Sequence, residues 1–453
     1  MLNELTSISP IDGRYRKQTE DLSEFFSEYG YIKHRVYIEI KWLTALLNED
    51  FIDANVSDEQ LSQIENIYEN FDVNECSRVK QIEQTTNHDV KAIEYYVREK
   101  LAEIDLQNIV YLVHFGCTSE DINNLAYGLM IKRAMNEVVC PNMIDLRDSV
   151  RVKAKEWSNI SMLAHTHGQP ATPTTVGKEL AVFVNRLDNQ IANINYFVEK
   201  ITGKFSGAVG TYGAWNMVYP NVDWIEFNKQ FVENLGLSFN VYSTQIENHD
   251  MICMLFSAIK SFNNVLQDFN SDMWLYISMN YFKQKVVSTE TGSSVMPHKV
   301  NPINHENSMA NIRIANSLFD SFTNNLQISR MQRDLTDSSM QRDIGVALSH
   351  TLIATKQSIK AFEKMEPNCE VLEQDLENHP EVIAEAIQTV LRKNRYDNAY
   401  ELLKDFTRGK NVTLQDLRDF INGLEIDAND KTYLMELMPQ TYIGLAEKLC
   451  DML

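Results

Sequence analysis

Between Gly236 and Gly292 the chain contains neither glycine nor proline, and between Pro302 and Gly345 it again contains neither. Stretches this long without a helix breaker leave little alternative to long helices, because nothing in them interrupts a backbone hydrogen-bond ladder once it has nucleated. The apolar spacing agrees. Ile252, Ile259, Leu266 and Met273 recur every seven residues, interleaved with Leu255, Phe262, Phe269 and Tyr276. This is the a/d pattern of a helix packed along its length in a bundle, and such a stripe is core rather than a cofactor box. Only 16 glycines and 10 prolines stand in 453 residues, about half of average usage, and strand signals are few. The sequence predicts an all-α fold.

The length admits one large domain or two to three ordinary ones. Punctuation suggests three segments. Residues 1–111 form a head of short helical patterns that opens on "SPIDGRY". Residues 112–364 form a central block with the longest periodic runs. Residues 365–453 form a smaller helical tail, opened by "KMEPNCEVLEQDLENHPEV" with its breaks at Pro367 and Pro380. The formal net charge of −21 argues against nucleic-acid or membrane-surface partners, since a polyanion is repelled over most of such a surface. A small anionic ligand needs only a local group of cations. Cys76, Cys117, Cys140, Cys253, Cys369 and Cys450 are scattered with no C-x-x-C pair, which suits reduced thiols better than a disulfide framework or a zinc site. The first residues carry no apolar signal-like run, so the expected setting is cytoplasmic.

Chemistry concentrates in polar clusters. "GSSVMPHKVNP", residues 292–302, places Ser293, Ser294 and Lys299 in a loop that Gly292, Pro297 and Pro302 keep from being helical. A plain surface connection is the alternative. "HTHGQPATPTT" carries His165 and His167; with no further ligand at metal spacing, a single imidazole acting as a proton donor on an irregular backbone is the better reading. "TTNHDVKAIEYY" offers Asn87, His88 and Asp89 ahead of an amphipathic run, equally good as helix caps. "HFGCTSEDINN" places Thr118 and Ser119 at a helix start, an anion site or an ordinary cap. "SRMQRDLTDSSMQRD" sets Arg330, Arg333 and Arg342 among Thr336, Ser338 and Ser339; this suits phosphate or carboxylate recognition, or else a salt-bridged surface with Asp334, Asp337 and Asp343. Nucleotide-binding glycine motifs and a G-x-S-x-G elbow are absent from the sequence.

Together these motifs resemble the fumarase/aspartase superfamily, through the "GSSVMPHKVNP" loop. Through "THGQPAT", "TSEDINN" and "RDLTDS" they resemble its adenylosuccinate lyase branch. The resemblance runs in order from "SPIDGRY" through "TTNHDVKA" and "TQIENHD" to "TRGK", and is similar to the enterobacterial type. It implies a three-domain helical subunit in a homotetramer, with active sites shared between subunits and no metal or organic cofactor. The implied reaction is β-elimination of fumarate from adenylosuccinate, giving AMP, and from succinylaminoimidazole carboxamide ribotide in purine nucleotide biosynthesis. The resemblance also implies roles: Ser293 as base and His167 as acid, with Lys299 and loop amides as candidates to steady the Ser293 alkoxide. The implied substrate contacts are Arg14, Tyr15, Asn87, His88, Asp89, Thr118, Ser119, Gln245, Ser294, Lys299, Val300, Asn301, Asn307, Arg333, Ser338, Ser339, Met340, Gln341 and Arg342. Of these, Arg333, Ser338 and Arg342 would grip the phosphate. Two positions depart from the family pattern: Asn87 stands where many members carry Arg, and His165 where relatives carry Arg or an aromatic. The rivals are a sister lyase acting on argininosuccinate, aspartate or malate, and a non-catalytic scaffold of the same fold.

Overall fold

The computed structural model describes residues 4–285, 295–296, 298–409 and 412–453. The breaker-free runs form helices as the sequence predicts, though not over their full length. In chain order the elements that matter below are α1 (Glu28–Leu47), α2 (Val73–Thr86), α3 (Asp89–Glu103), α4 (Ser119–Ala134), β1 (Ser161–Thr166), β2 (Gln169–Thr175), α5 (Val176–Glu199), α6 (Asp250–Ser278), α7 (Ile303–Asn325), α8 (Thr336–Gln341) and α9 (Ile344–Glu363). Residues 240–249, free of both Gly and Pro, are irregular all the same, and His249 takes a left-handed φ of 62°.

Local chemistry sets several helix starts. Ser27 accepts from the Gly30 N–H ahead of α1, Asp72 from the N–H groups of Asn74 and Glu75 ahead of α2, and Ser57 and Gln60 form a reciprocal capping box. After α4 the helix continues as a π turn over Met135–Val139 and resumes at Cys140–Glu156. Pro141 supplies the cause, since it has no N–H to donate and its ring crowds the carbonyl one turn earlier.

Contacts sort the described residues into two compact units. The first holds Met1–Ile144, Gln190–Asn264 and Ser308–Lys356; the second holds Asp145–Asn189, Val265–Asn307 and Gln357–Leu453. Each boundary between them falls inside a helix. The α6 stripe is core: Leu255, Ile259, Phe262, Leu266 and Phe269 are fully buried, each such side chain contributing about 1.5–3 kcal/mol of burial. Two asparagines seven residues apart interrupt it. Asn263 donates to Thr351 Oγ1 in the first unit, and Asn270 to Ser358 Oγ in the second, so buried amides fix the register of α6 against α9 at two levels.

The first unit centres on Trp42, which lies 4.6 Å from Phe205 and 5.2 Å from Phe231 between ring centroids. Trp42 and Trp215 both donate Nε1–H to the Phe115 carbonyl, at 3.1 and 2.8 Å. Gly116 follows with φ 72°, and a Cβ there would stand 2.0 Å from Trp215 Nε1. That pair of indoles fixes the chain just before Thr118.

In the second unit β1 and β2 form an antiparallel hairpin, one of three two-stranded sheets among the described residues. Its Leu163 belongs to the apolar cluster of the tail, with Leu376, Ile383, Ile387, Leu391 and Leu417.

Candidate active site

The N-terminus of α4 is held from inside the protein. Thr118 is its N-cap, and the Thr118 N–H donates to Asp121 Oδ2 at 2.8 Å. The other oxygen of Asp121 meets Lys204 Nζ at 2.8 Å, both side chains being fully buried, and accepts from the N–H groups of Ser206 and Gly207. Asn124 closes the network, donating to the Lys204 carbonyl and accepting from the Lys204 N–H. A buried charge pair this fully hydrogen-bonded holds a loop in one arrangement.

On that frame sits Arg333. Its guanidinium donates to Glu120 Oε1 at 3.0 Å and to Gln245 Oε1 at 3.2 Å, so residues far apart in sequence meet beside Ser119. Asn123 donates to the same Glu120 oxygen. A second group adjoins through Tyr31. Arg35, only 2% exposed, stacks 3.6 Å above the Tyr31 ring and donates to Asp89 Oδ2 at 2.8 Å. Burial alone would raise the Asp89 pKa, but Arg35 outweighs it and holds the carboxyl below its ordinary value. Arg342 lies 5.7 Å from the same ring and donates to Glu28 Oε2 at 3.2 Å. Glu28, Tyr31, Tyr127, Gln341 and Arg342 line a cavity of about 110 Å³.

Most of the remaining first-unit candidates lie nearer solvent. Arg14 is exposed and Tyr15 half-buried, capping a short turn of helix. Asn87 closes α2 in a left-handed conformation (φ 51°), and His88 rather than Asn or Asp is the N-cap of α3, its Nδ1 accepting from the Lys91 N–H. Ser338 and Met340 are half-buried, Ser339 is exposed and Gln341 is buried. The reading of Arg333 and Arg342 as a plain salt-bridged surface fails at Arg333, whose side chain is 18% exposed and pairs with a carboxylate 5% exposed.

His167 belongs to the second unit and to a turn that sequence reasoning took for irregular. It and Gly168 link β1 to β2 with φ 54° and 72°. Two successive left-handed residues make the I′ geometry whose twist suits a hairpin, and histidine is among the few side chains that tolerate it. Pro170 and Pro173 fit because a two-stranded sheet leaves its outer edges without ladder partners. His165 and His167 are both exposed. Lys299 and Val300 are exposed, Asn301 and Asn307 half-buried, and the Val300 carbonyl accepts from Gln284 Nε2. Ser293 and Ser294 lie outside the described residues, so the structure carries no statement about either. Among the described residues no group of three or more His, Cys, Asp or Glu side chains is placed to hold a metal ion.

The chain is 46% identical to an adenylosuccinate lyase of Legionella pneumophila (strain Corby) over 99% of this chain and 98% of that one. It is 44% identical to that of Escherichia coli K12 over 99% of each chain, and 45% identical to that of Haemophilus influenzae over 100% and 99%. The chain belongs to the adenylosuccinate lyase family. A lyase family model matches residues 13–315, and an adenylosuccinate lyase C-terminal model residues 329–443. Among solved structures, a fumarate lyase from Mesorhizobium sp. BNC1 superposes with a TM-score of 0.75 at 17% identity, covering 95% of this chain and 96% of that one. A 3-carboxy-cis,cis-muconate lactonizing enzyme from Pseudomonas putida superposes at 0.72 and 19%, covering 96% of each. These two likenesses speak for the fold alone.

Within this adenylosuccinate lyase family member, residue-by-residue reasoning did not reach Arg35, Glu120 or His249 as parts of the site. Glu120 stands in the first turn of α4, where the helix dipole favours an acid, and its partner is 213 residues away. Arg35 lies inside an ordinary helix. Only His249 left a trace, in the "TQIENHD" stretch.

Proposed function

We propose that this chain is a carbon–nitrogen lyase that eliminates fumarate from adenylosuccinate, leaving AMP, and from succinylaminoimidazole carboxamide ribotide in purine nucleotide biosynthesis. The observation that carries the reading is end-to-end similarity to adenylosuccinate lyases of three bacteria. The first unit supports it. Arg333 and Arg342, the α4 N-terminus at Thr118 and Ser119, and Gln245 make a cation- and donor-rich region in a protein of net charge −21, as a phosphorylated substrate requires.

The reaction needs a proton removed from the carbon next to a carboxylate, and that carbon is a very weak acid. Donors and cations around the succinyl carboxylates, here Lys299, Asn301 and Ser294, would stabilise the charge that develops as the C–H bond breaks. Ser293 as its alkoxide takes the Cβ proton. The C–H electron pair becomes the C=C bond of fumarate, the C–N bond breaks toward N6, and the His167 imidazolium delivers its proton there. An exposed imidazole at the tip of a two-residue turn is free to meet a bound substrate. Arg14, Tyr15, Asn87, His88, Asp89, Val300, Asn307, Ser338, Ser339, Met340 and Gln341 complete the proposed substrate contacts, with Arg333, Ser338 and Arg342 on the phosphate.

The same reading takes the chain as a cytoplasmic homotetramer with shared sites and with domains at 1–111, 112–364 and 365–453. Large apolar side chains left exposed on the long helices support the assembly: Tyr196 at 59%, Leu275 at 50%, Met254 at 49% and Ile314 at 47%. A partner subunit would cover such side chains.

The test is direct. The pure protein with adenylosuccinate loses ultraviolet absorbance as AMP forms. Turnover of argininosuccinate or malate instead would point to a sister lyase, and turnover of none of them to a scaffold.

A further inference from the structure

His249 is 3% exposed and holds a left-handed φ of 62° at the end of the loop that carries Gln245. Three carboxylates surround it. Glu247, on its own loop, accepts the His249 N–H at 2.6 Å and lies 4.0 Å from Nδ1. Asp337, on α8, lies 3.4 Å from Nε2. Glu120, at the start of α4, is near enough to add its charge. The cation already present, Arg333, is engaged by Glu120 and Gln245. Glu247 is also fastened by Thr202 Oγ1 and Asn240 Nδ2, and Asp337 accepts the Ser338 N–H at 2.7 Å. The imidazole therefore stands between an anchored loop and the helix start that presents Ser338.

We propose that His249 is carried as an imidazolium and is the positioning residue that ties the Gln245 loop to the helix bearing Ser338, thereby setting the affinity of the site for its anionic substrate. The inference rests on the substrate reading given above. Its physical basis is charge balance. Arg333 pairs with Glu120, whereas Glu247 and Asp337, each at most 7% exposed, have His249 as their ion-pair partner among the described residues; a neutral ring would leave two buried carboxylates without a paired cation where an anion must bind. Burial by itself would lower the imidazole pKa, but Asp337 and Glu247 outweigh it and raise it above 6.5. The tie is therefore complete below that ordinary value and is lost only as pH climbs through the higher folded value. The Gln341 amide nitrogen is placed 3.1 Å from Nε2; turned end for end, that amide presents its oxygen to an imidazolium at the same distance.

The experiment uses the full-length native protein with isotope-labelled histidine, the His249 signal being identified by its loss in His249→Gln. The expected ring is an imidazolium at pH 7, titrating at a higher pH. The KM for adenylosuccinate rises through that same pH in the native enzyme, separately from any fall in kcat as the His167 acid deprotonates. His249→Gln raises KM about tenfold, leaves kcat within about twofold and abolishes the alkaline rise. A neutral His249 ring at pH 7 overturns the proposal; should His249→Gln not fold, the signal is identified instead by through-bond correlation of the ring to the His249 backbone amide in the native protein. A folded variant with unchanged KM, or with kcat reduced at constant KM, overturns it as well. Failure of the native enzyme to turn over adenylosuccinate would refute the substrate reading instead, and the ring titration would still decide whether the imidazolium bridge exists.

Discussion

Arg333, proposed to hold the substrate phosphate, and His167, proposed to protonate the leaving nitrogen, have contrasting surroundings. Arg333 is gripped by Glu120 and Gln245, and the helix start beside it is fixed by the buried Lys204–Asp121 pair. His167 stands exposed on a two-residue turn, and among the described residues its side chain has no hydrogen-bond partner, although the strands below it are rooted through Leu163 in the apolar cluster of the tail. A cation kept for binding is useful only if it is oriented before the ligand arrives, because ordering it afterwards costs affinity. A proton donor must reach the leaving nitrogen and then be re-protonated, so a rigid stem with a free tip serves it better. In the first region precision comes from partners, and in the second from backbone geometry.

Substitutions probe that contrast, beginning with the largest expected effect. His167→Ala is expected to lower kcat by about 10²–10⁴-fold while the thermal midpoint stays at the native value, since the tip supports nothing beneath it. A variant that loses less than about tenfold would remove His167 from the chemistry. Lys204→Met should show the opposite signature. It leaves Asp121 charged and fully buried, so denaturant unfolding should report a loss of about 3–5 kcal/mol, with binding failing as the Thr118 loop loosens. Stability within about 0.5 kcal/mol of native would mean that the partner network does not hold that region.

Acid acts through single buried groups, each with an effect at the lower end of the range expected for Lys204→Met. In the first unit His34 is buried, with Nδ1 2.7 Å from the Gly30 carbonyl and Nε2 facing Arg133, and burial pushes its pKa down to about 4. In the second unit His305 lies against Asn270 and is likewise pushed down to about 4 by burial. Both are neutral when folded, whereas the unfolded chain protonates them near 6.5. Stability from these two is complete above pH 6.5 and falls as pH descends toward 4, by about 3 kcal/mol for each. His34→Gln should flatten one share of this loss and His305→Gln the other, as measured by denaturant unfolding at pH 7, 5 and 4. A stability that is flat over that window would mean that both rings are protonated in the folded protein.

The sequence made the helical part of the fold easy to read and the site only partly so. The α6 stripe from Ile252 to Met273 is buried as its seven-residue spacing requires, and the Thr118 cap follows from a hydroxyl ahead of two acids. The hairpin escaped because its signals conflict. Two prolines in β2 argue against a strand, and a His-Gly pair is a rarer turn than Asn-Gly. The resemblance named Arg333 and Gln245, but the contact between them and that of Arg333 with Glu120 escaped for a different reason. These residues belong to different elements, and no local pattern encodes a contact that only the tertiary fold creates.

The left-handed backbone at His114, His167, Tyr212, His249, Met331 and Arg395 bears on anyone who would breed this protein for heat resistance. Each such residue carries about 1–2 kcal/mol of conformational strain that a glycine would not. At Arg395, in the tail, an exchange to glycine is open to the engineer. At His167 and His249 the same exchange would make a calmer backbone and a poorer catalyst, and a library screened for melting temperature alone would drift in that direction.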